Sequence, residues 1–217
     1  SPPGSVEVAM KDQRPQDPLA YERGFWGRGL SRVAGVDEVG RGPLAGPVVA
    51  CAVILPVDVH VPGATDSKKL TRPRREELAR EILACAEAVT LGAASVREID
   101  RLNILVATRV AMQRALASLP HRPEHVVIDG LPVKGLGWAH EAVVEGDALI
   151  HSVACASIVA KVVRDDLMRR LARRYPAFGW ESNVGYGSQA HRDAVAQLGP
   201  TPHHRLTFLG MQYDLGL

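Results

Sequence analysis

The chain has 217 residues, 46% hydrophobic and 23% charged, with 26 basic and 24 acidic residues giving a formal net charge of +2. That apolar content suffices for one full core and excludes intrinsic disorder, while the longest apolar run, residues 48–55, falls far short of the roughly 20 residues a membrane-spanning helix needs. The near-neutral balance does not announce a nucleic-acid binder, and Cys51, Cys85 and Cys155 lie far apart with no C-x-x-C, which disfavours a disulfide framework or zinc cluster and fits a reducing cytoplasm.

Residues 1–30 start polar and proline-bearing, lack the apolar stretch of a secretion signal, and read as a flexible leader. Residues 31–217 then form a single domain. Segments 31–38 and 47–55 are short, apolar and bounded by glycine or proline, the pattern of buried strands. After a loop over 56–69, Leu78, Ile82, Ala86 and Val89 follow helical spacing and predict a helix over 72–88, with a third strand over 89–94. Ser95 and Glu98 have the spacing of a capping box, and Asn103 caps a longer helix whose Ile104, Ala107, Thr108, Ala111, Met112, Ala115 and Leu116 form one stripe. Segments 125–128 and 142–144 are the fourth and fifth strands. A further helix over 157–175 turns Ile158, Val159, Val162, Val163, Leu167 and Leu171 inward. The order predicts an α/β domain, a mixed five-stranded sheet flanked by helices with a C-terminal helical extension.

Arginines gather at Arg72, Arg74 and Arg75 and at Arg169, Arg170, Arg173 and Arg174, each cluster reading as a solvated helix face. The acids are more informative. Asp37, Glu38, Asp129 and Asp147 each lie at or near the end of an apolar strand, where carboxylates are rare. Like charges at about 4 Å repel by roughly 4 kcal/mol at an effective dielectric of 20, so acids gathered from adjacent strands require a counter-ion. Magnesium and manganese suit carboxylate oxygens, and a pair of such ions serves phosphodiester cleavage. Asp37 and Glu38 point to opposite faces of a regular strand, so one contributes from the side or through its backbone.

The loop Gly40-Arg41-Gly42-Pro43-Leu44-Ala45-Gly46 follows the acidic pair. Its third glycine is one residue late for a dinucleotide fingerprint, a strand rather than a helix follows, and no G-K-[ST] occurs. Such a bare loop lets backbone groups approach a sugar hydroxyl, or forms a tight hairpin with no ligand.

Six stretches in order, Gly35-Val36-Asp37-Glu38-Val39-Gly40-Arg41-Gly42-Pro43-Leu44-Ala45-Gly46-Pro47, Asp66-Ser67-Lys68-Lys69-Leu70, Ile128-Asp129-Gly130, Gly146-Asp147, Ala156-Ser157-Ile158-Val159-Ala160-Lys161-Val162-Val163-Arg164-Asp165 and Gly185-Tyr186-Gly187, resemble bacterial ribonuclease HII, the type 2 ribonuclease H family. The resemblance implies an RNase H-like fold, hydrolysis of the RNA strand of RNA/DNA hybrids, and incision 5′ of single ribonucleotides in duplex DNA, leaving 3′-hydroxyl and 5′-phosphate ends. It implies Asp37, Glu38, Asp129 and Asp147 as catalytic metal ligands for paired Mg2+ or Mn2+ ions. It places Gly40, Arg41 and Gly42 on the 2′-hydroxyl and adjoining phosphate, Tyr186 on a sugar, and Lys68 and Lys69 on phosphate. A protein that separates RNA from DNA at one position must read that hydroxyl. Ser157, Lys161 and Asp165 share one helical face that supports the acids, and Lys161 with Asp165 also has the spacing of a plain ion pair. His203, His204 and Arg205 are further candidates for backbone phosphates. Cys155 departs from the alanine more usual there, and the leader is too short for the additional N-terminal domain of ribonuclease HIII. The expected state is a cytoplasmic monomer, with Met211, Gln212 and Tyr213 in the C-terminal tail as the candidate contact for a sliding clamp. Rival readings are a catalytically silent nucleic-acid-binding module of the same fold and a transposase- or resolvase-type nuclease that cuts DNA.

Overall fold

The central strand is buried on both faces, and its pairing decides where the acids fall. In a computed structural model, which describes residues 17–211, β1 (Val33–Val39) pairs antiparallel with β2 (Val48–Ile54) and parallel with β4 (His125–Asp129). Strand β3 (Ala88–Ala94) flanks β2, and β5 (Glu141–Val143) runs parallel to β4, so the spatial order is β3-β2-β1-β4-β5. Because β1 and β4 are parallel and Val36 pairs with Ile128, Asp37 and Asp129 follow next on adjacent strands at the same sheet edge.

Helices cover both faces, as the sequence pattern predicts. On one, α3 (Val96–Leu102) and α4 (Ile104–Ala117) pack Ala107, Ala111, Met112 and Ala115 against Ala34, Val36, Ala50 and Ala52. Their junction is capped as expected: Ser95 N–H donates to Glu98 Oε2 at 2.8 Å, Glu98 N–H returns to Ser95 Oγ at 3.3 Å, and Asn103 Oδ1 accepts from the N–H groups of Leu105 and Val106. On the other face, α2 (Arg72–Cys85) and α6 (His151–Arg174) pack Leu78, Ile82, Ile158 and Val159 against Cys51, Val53 and Leu55. The C-terminal extension is α7 (Trp180–Asn183) and α8 (Gln189–Leu198), packed on the end of α6 around Phe178 and Trp180. No helix among the described residues is long and apolar enough to cross a membrane. Of the arginine clusters, Arg72 and Arg74 pair with Glu76 and Glu77 on the solvated face of α2, and Arg170 pairs with Asp166.

Three expectations are corrected. Helix α6 starts at His151, not at residue 157, because the first turns are built from Ser152, Val153, Ala154, Cys155 and Ala156, all buried and too uniformly small and apolar to show a period. Its inward face also differs: Val163 and Leu167 are 38% and 37% exposed, while Arg164, Asp165 and Met168 are buried. Finally, the C-terminal part of the presumed leader is folded. Helix α1 (Ala20–Trp26) docks on the domain; Tyr21 Oη lies 2.9 Å from His125 Nε2, and Glu22, 1% exposed, accepts the Ser152 N–H at 2.7 Å. Glu22 thereby caps α6, whose own N-cap residue Ile150 offers no side-chain acceptor.

Helix α6 lies so close to β1 that a Cβ at Gly35 would sit 2.3 Å from the Ser152 carbonyl carbon. Gly35→Ala is therefore expected to lose roughly 1–3 kcal/mol in denaturant unfolding. Gly24→Ala, in open space on α1, is expected to gain roughly 0.5–1 kcal/mol. Equal effects of the two substitutions would contradict this packing.

Candidate active site

One oxygen from each of Asp37, Asp129 and Asp147 lies within 4.8 Å of the others. The first two arrive on parallel strands. Asp147 arrives otherwise, and here the strand-end expectation is corrected: after β5 the chain turns through Glu145 in the left-handed region (φ 59°), and Asp147 sits in the first turn of the short helix α5 (Gly146–Leu149). The turn is tight against its neighbour. A Cβ at Gly146 would come 3.4 Å from Asp129 Oδ1, and the Asp147 N–H donates to that same oxygen at 3.4 Å. Glu38 stands outside this trio, as its strand parity requires, and its Oε1 accepts from Arg41 Nη1 at 3.3 Å.

The electrostatics follow from burial and proximity. Asp37 is 6% exposed, and burial with the charges of Glu38 and Asp129 holds its carboxyl well above the usual range. Burial also raises Glu38, against the opposing pull of Arg41. Asp147 is pushed up to about 6 by burial and by Asp129 and Asp66. Three convergent carboxylates, two of them driven towards neutrality by loss of solvent and mutual repulsion, are the donor set a hard divalent cation takes.

Asp37 and Asp129 open into a groove of about 800 Å3 that gathers most of the predicted site, with Glu38, Gly40, Arg41, Gly42, Lys68, Ser157, Lys161 and Tyr186 also lining it, while Asp147 reaches the other two acids without lining the groove itself. Ser67, Ile104 and Phe208 line it too and were not singled out. Ser67 has a visible partner, since Ser157 Oγ donates to Ser67 Oγ at 2.9 Å with both residues buried. Lys69 does not line the groove; it is exposed, with its Nζ 3.9 Å from Asp66. Asp165 is also set back, 4% exposed, holding Lys161 Nζ at 2.8 Å, and that Nζ lies 5.9 Å from the centre of the Tyr186 ring. The plain ion pair is thus present and aims the lysine into the groove.

Behind the groove, two fully buried arginines hold the glycine loop by its carbonyl oxygens. Arg164 donates to Pro47, Val184 and Ala45; Arg205 donates to Gly46, Arg41 and Gly40. Gly40 (φ +92°) must be glycine twice over, since a Cβ would lie 2.2 Å from Arg164 Nε. The expectation that Arg205 and His204 touch phosphates is therefore overturned, both being buried. His204 Nδ1 accepts from the Thr201 N–H, so its Nε2–H faces His191 Nε2 at 3.0 Å, and His191 Nδ1–H donates to the Tyr186 carbonyl at 2.8 Å. Burial holds both imidazoles below the ordinary histidine range, His204 at about 4, so the relay stays neutral at physiological pH. One C-terminal stretch thus fixes both the loop and the backbone of Tyr186.

Acids converging at the edge of a mixed sheet beside a groove with lysines define a divalent-metal nuclease. A family model described as Ribonuclease HII matches residues 34–211. A ribonuclease HII from Cereibacter sphaeroides is 56% identical over 189 residues, 87% of this chain and 89% of the relative, and one from Synechococcus sp. is 52% identical over 204 residues, 93% and 92% of the two chains. Among solved structures, the PCNA:RNase HII complex from Archaeoglobus fulgidus is similar with TM-score 0.69 and 27% identity, covering 85% of this chain and 98% of that one. The chain belongs to the ribonuclease HII family, and is a metal-dependent ribonuclease H, an endonuclease of RNA strands.

A raised carboxyl favours the folded state only while protonated, so the contribution of Asp147 is complete below the ordinary value of 3.8 and is lost as pH rises through about 6. A bound dication reverses that loss. The rise in melting temperature on adding Mg2+ or Mn2+ is expected to grow from about pH 5 to about pH 7, and a rise independent of pH would contradict this reading. Arg205→Met strands the carbonyls it serves and is expected to cost about 3 kcal/mol in denaturant unfolding; a loss under about 1 kcal/mol would refute the anchoring.

Proposed function

We propose that the enzyme cuts the RNA strand of RNA/DNA hybrids and incises on the 5′ side of a single ribonucleotide embedded in duplex DNA, leaving a 3′-hydroxyl and a 5′-phosphate. The observation that carries this is the shared groove: Asp37 and Asp129, which converge with Asp147, face one space with the Gly40-Arg41-Gly42 loop and Tyr186. Asp37, Asp129 and Asp147, with Glu38 from the side, hold a pair of Mg2+ or Mn2+ ions. Bound there, such ions would neutralise the acids and supply Lewis-acid activation of a water and charge stabilisation for a leaving oxygen.

The chain's own residues do the selecting. The backbone of Gly40 and Gly42, with Gly40 held bare by the close approach of Arg164 and anchored by Arg205, reads the 2′-hydroxyl, and Arg41 meets the adjoining phosphate. The Tyr186 ring, 43% exposed, lies on the neighbouring deoxyribose, where an additional hydroxyl would crowd it. Lys68 meets the phosphate backbone inside the groove and Lys69 at its rim, positioning the duplex without specifying it. Asp165 and Ser157 act through Lys161 and Ser67 to hold the groove wall.

All three cysteines are free thiols, which suits a monomer working in the reducing cytoplasm. The archaeal relative solved with PCNA supports a clamp contact here as well; the tail expected to make it lies outside the described residues except Met211.

A duplex DNA with one ribonucleotide tests the proposal. Incision 5′ of the ribonucleotide is expected only with a divalent cation, Asp37→Asn is expected to lower its rate more than roughly a hundredfold, and an all-DNA duplex stays intact. Tyr186→Ala is expected to keep binding while losing preference for the RNA-DNA junction. An unchanged rate for Asp37→Asn, or cutting of the all-DNA control, would overturn it.

A further inference from the structure

The groove is not closed off by the acids. Glu38, Arg41 and Asp129 also line a second depression of about 500 Å3, set between α4 and the loop that follows β4. Tyr186, Lys161 and Ser157 line only the first space, so the two lie on opposite sides of the Glu38–Asp129 boundary. We propose that this second depression is the subsite for the deoxyribonucleotide on the 5′ side of the cut, the one whose 3′ oxygen leaves.

The inference rests on the function proposed above and extends it by polymer continuity. With Tyr186 on the sugar 3′ of the ribonucleotide and Gly40-Arg41-Gly42 on the ribonucleotide itself, the scissile phosphate falls at the acids. The strand must then continue past Glu38 and Asp129. The chemistry of the depression suits what would arrive. Leu105 and Leu131 stand 65% and 74% exposed on its two walls, apolar surface of the kind a sugar and base edge cover. Arg109 and Lys134 add positive charge for the next phosphate, and the volume falls within the range of roughly 300–1,000 Å3 that holds small ligands.

The wall is also pre-formed. Arg109 Nη1 donates to the Lys134 carbonyl at 3.2 Å and Gln113 Nε2 to the Gly135 carbonyl at 3.1 Å, pinning the loop to α4.

The test uses duplexes with one ribonucleotide in which the first or second phosphate 5′ of the cut is replaced by a neutral methylphosphonate. For the unaltered enzyme, kcat/KM is expected to fall roughly tenfold at one of these positions. Lys134→Ala is expected to lose roughly tenfold on the unmodified duplex, to lose nothing further on that neutralised one, and to lower the salt dependence of binding by about one ion. Neutral phosphates 3′ of the cut are expected to affect both proteins equally. Indifference of the unaltered enzyme to both upstream replacements, or losses that multiply, would overturn the subsite while leaving the proposed function standing. Failure to cut the unmodified ribonucleotide duplex would overturn the proposed function and the subsite with it.

Discussion

Three carboxylates held within bridging reach of one another are the constraint around which this molecule is arranged. Each pair of like charges at such range costs several kcal/mol in a partly dry pocket, and neither protonation nor solvent relieves that cost without spoiling the site. The protein therefore needs two things: a cation, and a scaffold stiff enough to keep the acids from moving apart. The scaffold is visible in the fold. Parallel pairing of β1 with β4 sets Asp37 beside Asp129, α6 presses directly on Gly35, and Asp147 is delivered by a left-handed turn and a single turn of helix. Even α1 participates, because Glu22 caps the N-terminus of α6, the turn that presses on Gly35.

A second layer of rigidity comes from buried charge of the opposite sign. Arg164 and Arg205 are wholly desolvated, at a cost that only a full set of acceptors offsets, and the acceptors are backbone carbonyls of the glycine loop and its flanks. Burial lowers the proton affinity of both, as expected for cations without carboxylate partners. The exchange is structural: a loop poor in side chains, and so intrinsically floppy, is fixed by polar groups behind it. The same stretch that provides Arg205 provides His204, which fixes Tyr186 through His191. The loop and the backbone of Tyr186 therefore cannot shift independently.

Much of this was legible in the residues. The strands, the capping box at Ser95 and the α4 stripe carry local signals of period and capping that survive into the fold. Asp37 and Asp129 were legible because carboxylates at strand ends are uncommon, and alternation along β1 already separated Glu38 from Asp37, whereas Asp147 reaches the site from a helical turn past β5. What escaped were features decided by distant contacts. Arg164, Arg205 and Asp165 are charged residues whose burial depends on carbonyls and side chains far along the chain. The first turns of α6 are too uniformly small to display a period, and Val163 and Leu167 fit a helical stripe that the packing of Met168 and Arg164 displaced. Helix α1 is only seven residues long, lies between Pro18 and Gly27, and carries Tyr21, Phe25 and Trp26 whose partners on β1, β4 and α6 are far along the chain, so no local period announces it.

The most direct measurement is anomalous scattering from crystals of the full chain soaked in Mn2+. The account predicts a peak coordinated by oxygens of Asp37, Asp129 and Asp147 together, lost on replacing any one of the three by asparagine or alanine. A manganese peak elsewhere with nothing between these carboxylates, or one that survives those replacements, would contradict it.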